Sequence, residues 1–181
     1  MECPICAFDN IPGAGVCEDC GGSLTQEDLP LARARSRTAR SLNEDPIEVL
    51  KPAEGIAVSE NTPLDDAIRI MRDQDLGCLL VTDRDGRLSG ILSERDLLNK
   101  VAGKEEDLGG LSVEQFMTSR PETVREDRVL AYALHRMMVG DYRHLPLTDR
   151  DRRPTGIISS RDVIGYLSAK FRNVMAGLDE A

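Results

Sequence analysis

The residues of this 181-residue chain that could do chemistry fall into two sets. The first is a pair of Cys-x-x-Cys motifs, Cys3 with Cys6 and Cys17 with Cys20. Each pair can wrap one metal ion from a tight turn, and Gly21 suits the left-handed backbone that such a turn requires. Thiolates from both pairs in tetrahedral array select Zn2+, with iron as the alternative. Residues 1–24 bury too little surface to fold unaided, so the metal would supply the folding energy, about 10–16 kcal/mol in small modules of this kind. The second set occurs twice: Gly90-Ile-Leu-Ser93-Glu-Arg-Asp96 and Gly156-Ile-Ile-Ser159-Ser-Arg-Asp162. Ser-x-x-Asp where a strand gives way to a helix is a capping box, and capping alone is one reading of it. The other reading is a nucleotide site. Free N–H groups and the dipole at a helix start suit phosphate, the serine hydroxyl adds a bond, and a carboxylate one turn on can accept from both hydroxyls of a ribose. Gly90 and Gly156 would leave room for a flat group against the backbone.

The elements that position these motifs are themselves repeated. The motifs lie 66 residues apart, and the same offset relates Val81-Thr-Asp-Arg-Asp85 to Leu147-Thr-Asp-Arg-Asp151, Leu64, Ala67 and Met71 to Leu130, Ala133 and Met137, and Val58 to Val124. A constant offset over such a length marks a duplicated supersecondary unit. With two copies only, the expected result is a pseudo-two-fold domain in which each half covers the other's apolar face. Leu64, Ala67, Ile68 and Met71 recur at helical spacing after Thr62-Pro63, a helix start. Cys78–Thr82 and Leu88–Leu92 are apolar runs of strand length around an Asp85-Gly86 turn, and Ser93 opens a helix carrying Leu97, Leu98 and Val101. Lone Cys78 reads as a small buried residue. In the second repeat Ser112-x-x-Gln115 predicts a capped lead-in helix ending at Met117-Thr118, and the last helix runs from about Ser160 through Phe171. Each repeat is thus β-α-β-β-α, and the fold class is α+β. The predicted divisions are a metal module at 1–24, a basic linker carrying Arg33, Arg35, Arg37 and Arg40 at 25–43, a first repeat at 44–110 and a second at 111–175.

Composition narrows the function. A formal charge of −9 opposes broad binding to nucleic acid or anionic membrane, and 3% aromatic residues with no Trp remove the usual base-stacking platforms. No apolar run approaches the ~18 residues of a membrane span, and the N-terminus has neither the basic region nor the apolar core of a signal peptide. Paired cysteines in such a chain suit a metal and a reducing, cytoplasmic setting better than disulfides. No activated nucleophile or paired acid and base is legible: His135 falls on a helix and His144 starts a strand, so the expectation is no enzyme activity.

Residues 44–172 resemble a tandem pair of CBS domains, the cystathionine-β-synthase-type regulatory module. The matching features are a helix, a hydrophobic strand ending in Asp83 or Asp149, and then Gly-h-h-Ser-x-x-Asp, in both copies; His144-Leu-Pro146-Leu-Thr-Asp149 and Met117-Thr118 follow the family pattern closely. The first repeat departs from it at Lys51-Pro52, where Met-Thr is usual, and at Leu80, where Pro is usual. The N-terminal segment resembles a zinc ribbon. The family resemblance implies a regulatory protein binding adenosine-containing ligands, namely AMP, ADP, ATP or S-adenosylmethionine, between its repeats. It implies further that each motif aspartate holds ribose, that the serine lies near phosphate, and that each pocket is completed by the other repeat. One pocket would then join Gly90, Ser93 and Asp96 to Thr118, Thr123, Val124, Arg143 and His144. The other would join Gly156, Ser159 and Asp162 to Ile56, Ala57, Gly77 and Cys78. With Arg143-His144 at the positions of Gly77-Cys78, the first pocket would favour phosphorylated ligands, and the second a less anionic adenosine compound or none. A homodimer through the repeats and a separate protein effector contacted by the ribbon complete this expectation. The alternatives are an interaction scaffold without nucleotide binding and a ribbon-based nucleic-acid or redox protein.

Overall fold

A computed structural model describes residues 3, 8–11, 14–19, 21, 22, 24, 37–103, 108 and 110–176, excluding the side chains of 37–40, 171 and 173–176. In chain order the elements are α1 (Arg37–Glu44), β1 (Ala57–Ser59), α2 (Leu64–Asp73), β2 (Cys78–Thr82), β3 (Leu88–Ser93), α3 (Glu94–Asp96), β4 (Thr118–Ser119), α4 (Leu130–Val139), β5 (His144–Thr148), β6 (Pro154–Ser159) and α5 (Ser160–Ala176). Short 3-10 turns cover Ile47–Leu50 and Val113–Gln115, and a π turn, Leu97–Val101, continues α3. The chain folds as two compact units, Glu54–Glu122 with Thr148–Gly156, and the described parts of Met1–Ala53, Thr123–Leu147 and Ile157–Ala181.

The unit that holds the first motif is built on a sheet in the order β1-β2-β3-β4. β1 runs parallel to β2, with Val58 opposite Val81, and β3 runs antiparallel to β2, with Cys78 opposite Ser93. Asp83 closes the β2–β3 turn: its Oδ1 accepts from the amides of Asp85 and Arg87, and Gly86 takes φ +76. Val58, Leu64, Ala67, Met71, Leu79, Val81 and Leu92 form the core, joined by Val113, Phe116 and Met117. The last three open the second repeat in sequence, yet β4 pairs antiparallel with β3, placing Thr118 opposite Ile91. The lead-in to the second repeat therefore packs on the first.

The other unit shows the reciprocal arrangement. Its core joins Val124, Leu130, Ala133, Met137, Leu145, Leu147 and Ile158 to Ile47, which opens the first repeat. Ile47 and Val113 are themselves related by the 66-residue offset, so one duplicated position supplies each core with a fully buried side chain. Val124 bridges Leu147 in parallel and Ala53 bridges Ile157 antiparallel, which repeats the β1–β2 and β3–β4 pairings at the level of single bridges. The helix α1 is tied to α5 through Asp45, whose carboxylate accepts from Tyr166 Oη and, at 2.9 Å, from Lys170 Nζ.

Several local expectations need correction. Ser112 sits at the N-cap of the 3-10 turn, but its side chain makes no capping bond. Its residue bridges Pro63 instead, and the lead-in is a single tight turn rather than a capped helix. Of the three apolar residues expected on the helix that Ser93 opens, Leu97, Leu98 and Val101, Leu98 is 70% exposed. Position 152, the counterpart of Gly86, is an arginine held at φ +60.

Near the N-terminus, the amide of Cys3 donates to Phe8 O at 2.8 Å and that of Cys17 to Gly22 O at 2.7 Å. The first cysteine of each pair thus starts a turn of the same reach. Gly21 adopts φ +71, and Cys3, Cys17 and Leu24 are buried together.

Candidate functional site

Both Ser-x-x-Asp motifs stand where the sequence places them, at the end of a strand and the start of a helix. Ser93 closes β3 and caps α3, with the full capping box formed. Its amide and hydroxyl donate to Asp96 Oδ2 at 3.0 and 2.5 Å, and its Oγ accepts from the Asp96 amide at 3.3 Å. Ser159 and Asp162 repeat the set at 2.7, 2.7 and 3.3 Å. These bonds satisfy otherwise orphaned donors at the helix start and occupy one oxygen of each carboxylate.

The other carboxylate oxygen differs between the repeats. Asp96 is buried, 8% exposed, and its Oδ1 accepts from Lys100 Nζ at 2.7 Å and Thr118 Oγ1 at 2.9 Å. Lys100 is also anchored by the carbonyls of Phe116 and Met117, at 2.7 and 3.2 Å. It reaches them from the π turn, where Ala102 N donates to Leu97 O, five residues back, at 2.9 Å. Burial alone would raise the Asp96 carboxyl; the bonds from Lys100, Ser93 and Thr118 outweigh it and leave the group below its ordinary value. Asp162 is exposed, and its Oδ1 takes no hydrogen bond among the described residues. The offset explains this: Lys100 corresponds to Tyr166, which turns to Asp45, and Thr118 corresponds to Pro52, which has no hydroxyl.

The remaining candidate residues divide between the two units. Gly90, Ser93, Asp96, Thr118, Ile56, Ala57, Gly77, Cys78 and Gly156 belong to the first described unit; Thr123, Val124, Arg143, His144, Ser159 and Asp162 belong to the second. Within the former, the Gly77 carbonyl accepts from Glu94 N at 3.1 Å and the Ile56 carbonyl from Leu80 N at 2.9 Å. Within the latter, the exposed Arg143 offers its carbonyl to Ser160 N at 2.9 Å, and Thr123 and Val124 are buried. Each pre-strand pair therefore lies beside the helix start of its own repeat. Burial, with a smaller push from Glu94, raises the Cys78 thiol to about 12, which makes it an inert core group.

Gly90 is constrained from within the fold. A Cβ there would lie 2.2 Å from Met117 Sδ, so the space beside the backbone is filled by a side chain of the lead-in segment. Lys100 was not singled out by motif reading, although Asp96-x-x-x-Lys100 has the i,i+4 spacing of a helix ion pair.

Of the cysteine set, Cys6 and Cys20 lie outside the described residues, and among those described no three metal-binding side chains come together. Asn10, 3% exposed, braces Cys17: its Nδ2 donates to Cys17 Sγ at 3.5 Å and its Oδ1 accepts from Glu18 N at 2.9 Å.

Residues 45–103 and 113–169 each match the family model of the CBS domain. The chain belongs to the CBS-domain family. The CBS domain-containing protein CBSCBSPB5 of Arabidopsis thaliana is 34% identical over 119 residues, which is 63% of this chain and 22% of that protein's length. Two solved structures share the fold. The CBS domain pair of protein MJ0100, in complex with 5'-methylthioadenosine and S-adenosyl-L-methionine, superposes with a TM-score of 0.63 at 22% identity, covering 69% of this chain and 97% of that one. The CBS domain protein PAE2072 from Pyrobaculum aerophilum, complexed with AMP, does so with a TM-score of 0.59 at 24% identity, covering 65% and 88%. The CBS pair here thus has mixed α and β content, and no described helix is long and apolar enough to cross a membrane.

Proposed function

We propose that this CBS pair is a non-enzymatic regulatory module that binds an adenosine-containing ligand through its Ser-x-x-Asp helix starts. The observation that carries the reading is Asp162. Capping uses one oxygen of this exposed residue, and the other takes no hydrogen bond among the described residues, which leaves it able to accept from a ribose diol. The two ligand-bound CBS structures support the ligand class, since their ligands share adenosine and differ in the group on its 5' carbon. In this reading the crosswise pockets stand as proposed, with Thr118, Thr123, Val124, Arg143 and His144 serving the first motif and Ile56, Ala57, Gly77 and Cys78 the second. The chain acts in the cytoplasm as a homodimer. Leu98 and Ile164, at equivalent positions and 70% and 61% exposed, offer each repeat an apolar contact for self-association. Cys3, Cys6, Cys17 and Cys20 hold a structural Zn2+, and that module contacts a protein effector. The buried Cys3 and Cys17 and the amide-to-sulfur bond from Asn10 support this, because N–H donors stabilise thiolate.

A thermal-shift panel of AMP, ADP, ATP, S-adenosylmethionine and 5'-methylthioadenosine tests the ligand reading. At least one should raise Tm with saturation. No shift with any of them would favour the second reading, an interaction scaffold whose motifs only cap helices, for which the two complete Ser/Asp bonding sets speak. Elemental analysis should find about one zinc per chain, from four thiolates per ion.

A further inference from the structure

We propose that Lys100 is a tethered occupant of the first motif, and that it keeps sugar hydroxyls off Asp96 so that the chain takes its adenosine ligand at Asp162 alone. The inference rests on the adenosine-binding reading above and adds which motif is open and what closes the other. An ionised carboxylate has about four acceptor positions. At Asp96 they are filled by Ser93 N, Ser93 Oγ, Lys100 Nζ and Thr118 Oγ1. A ribose diol must donate two hydrogen bonds to that carboxylate, and none of its positions is vacant. Displacing the ammonium would also strip a charge-assisted bond from a buried carboxylate and break two further bonds to the Phe116 and Met117 carbonyls. A weakly held surface lysine would yield readily. This one is held at three points, and its acidic partner is only 10% exposed.

The second repeat lacks every part of the device. Position 166 is a tyrosine committed to Asp45, position 52 a proline, and α5 runs from Ser160 to Ala176 with no π turn near its start. The nearest lysine downstream, Lys170, is committed to Asp45 and Ser41, both at 2.9 Å. The resulting order of sites is the reverse of the one suggested by Arg143. That side chain would favour phosphate at the first motif, but the sugar must be seated before its phosphate can be, and Lys100 denies it the seat.

Isothermal titration of the full-length protein with AMP, and separately with S-adenosylmethionine, tests this. The intact chain should bind about one equivalent of whichever probe it accepts, the count set by one open carboxylate. Lys100→Met, and Lys100→Gln as a second variant should the first fold poorly, should add a second site while the original affinity stays within about twofold, well under the tenfold that one lost bond of this class costs. Two equivalents in the unaltered chain would overturn the inference and leave the adenosine reading standing. So would one equivalent in both folded Lys100 variants. Absence of binding by either probe to the unaltered chain and to both variants would overturn the adenosine reading and this inference with it.

Discussion

The two repeats carry the same seven-residue motif and the same capping bonds, yet they leave their aspartates in opposite situations. Asp96 is buried and saturated by protein donors, while Asp162 is exposed and has one oxygen without a hydrogen bond among the described residues. Two exchanged positions account for the difference, Lys100 against Tyr166 and Thr118 against Pro52, and a third, Met117 against Lys51, fills the space beside Gly90. None lies inside the motif. Two of the three come from the lead-in segments, which the fold swaps so that each packs on the other repeat's sheet or core. A motif match therefore identifies the scaffold of a site, and the residues that open or close that scaffold arrive from elsewhere in the chain.

The comparison can be broken most severely at Gly90. Gly90→Ala sets a Cβ against the buried Met117 thioether and should cost about 1–3 kcal/mol, the range for overpacking. Adding Met117→Ala should return part of that loss, because the clash and the gap offset one another. Chemical denaturation of the single and double variants measures both. A Gly90→Ala protein as stable as the parent would remove Met117 from the account and return the glycine to ligand access.

Next in size is the acid response of Lys100→Met. The folded Asp96 lies below its ordinary value, so the stability it lends is fully present above the unfolded pKa and is lost as pH falls through the lower, folded one. Without the lysine, burial remains and its strongest compensating bond goes, so the folded pKa rises. The variant should lose about 1–2 kcal/mol near neutrality, a figure discounted for the half-exposed lysine, and its acid-side decline should be shallower than the parent's, because the gap between folded and unfolded pKa that drives the decline narrows. Tm measured from about pH 6 to pH 3 shows this as a difference between parent and variant that shrinks as pH falls through and below the ordinary carboxylate range. An unchanged acid limb would mean the pair contributes nothing.

The smallest effect concerns the turns. Gly86 and Arg152 occupy the same left-handed position, at φ +76 and +60. Gly86→Ala should cost about 1 kcal/mol, whereas Arg152→Gly should be neutral or stabilising by up to about that much, since it relieves the same backbone penalty. A loss in both would show that the Arg152 side chain holds the turn in place.

Much of this was legible in the sequence, for identifiable physical reasons. The duplicated core follows from side-chain periodicity, which burial enforces at every turn: Leu64, Ala67 and Met71 and their counterparts Leu130, Ala133 and Met137 are all buried. The motif serines and aspartates form their capping bonds because those interactions are local, spanning three residues. What escaped depends on contacts distant in sequence. The Met117 side chain beside Gly90 escaped because it is 27 residues away and nothing local announces their contact. The swap of lead-in segments leaves no trace in periodicity; only the family resemblance pointed to it, by joining Thr118 to Ser93 and Asp96. Lys100 was within reach of local reasoning through its spacing from Asp96, but the carbonyls of Phe116 and Met117 that fix it are again remote.

The central claim, that one aspartate serves the ligand and the other serves the fold, is tested most directly by paired affinity measurements on Asp162→Asn and Asp96→Asn. Each substitution keeps the size of the cap and removes the anionic acceptor. Asp162→Asn should weaken adenosine-ligand binding by about tenfold or more while changing Tm little, the loss expected when a charge-assisted acceptor becomes neutral. Asp96→Asn should do the opposite, lowering Tm while the surviving folded protein binds as the parent does. Affinity lost with Asp96→Asn and retained with Asp162→Asn would contradict the account.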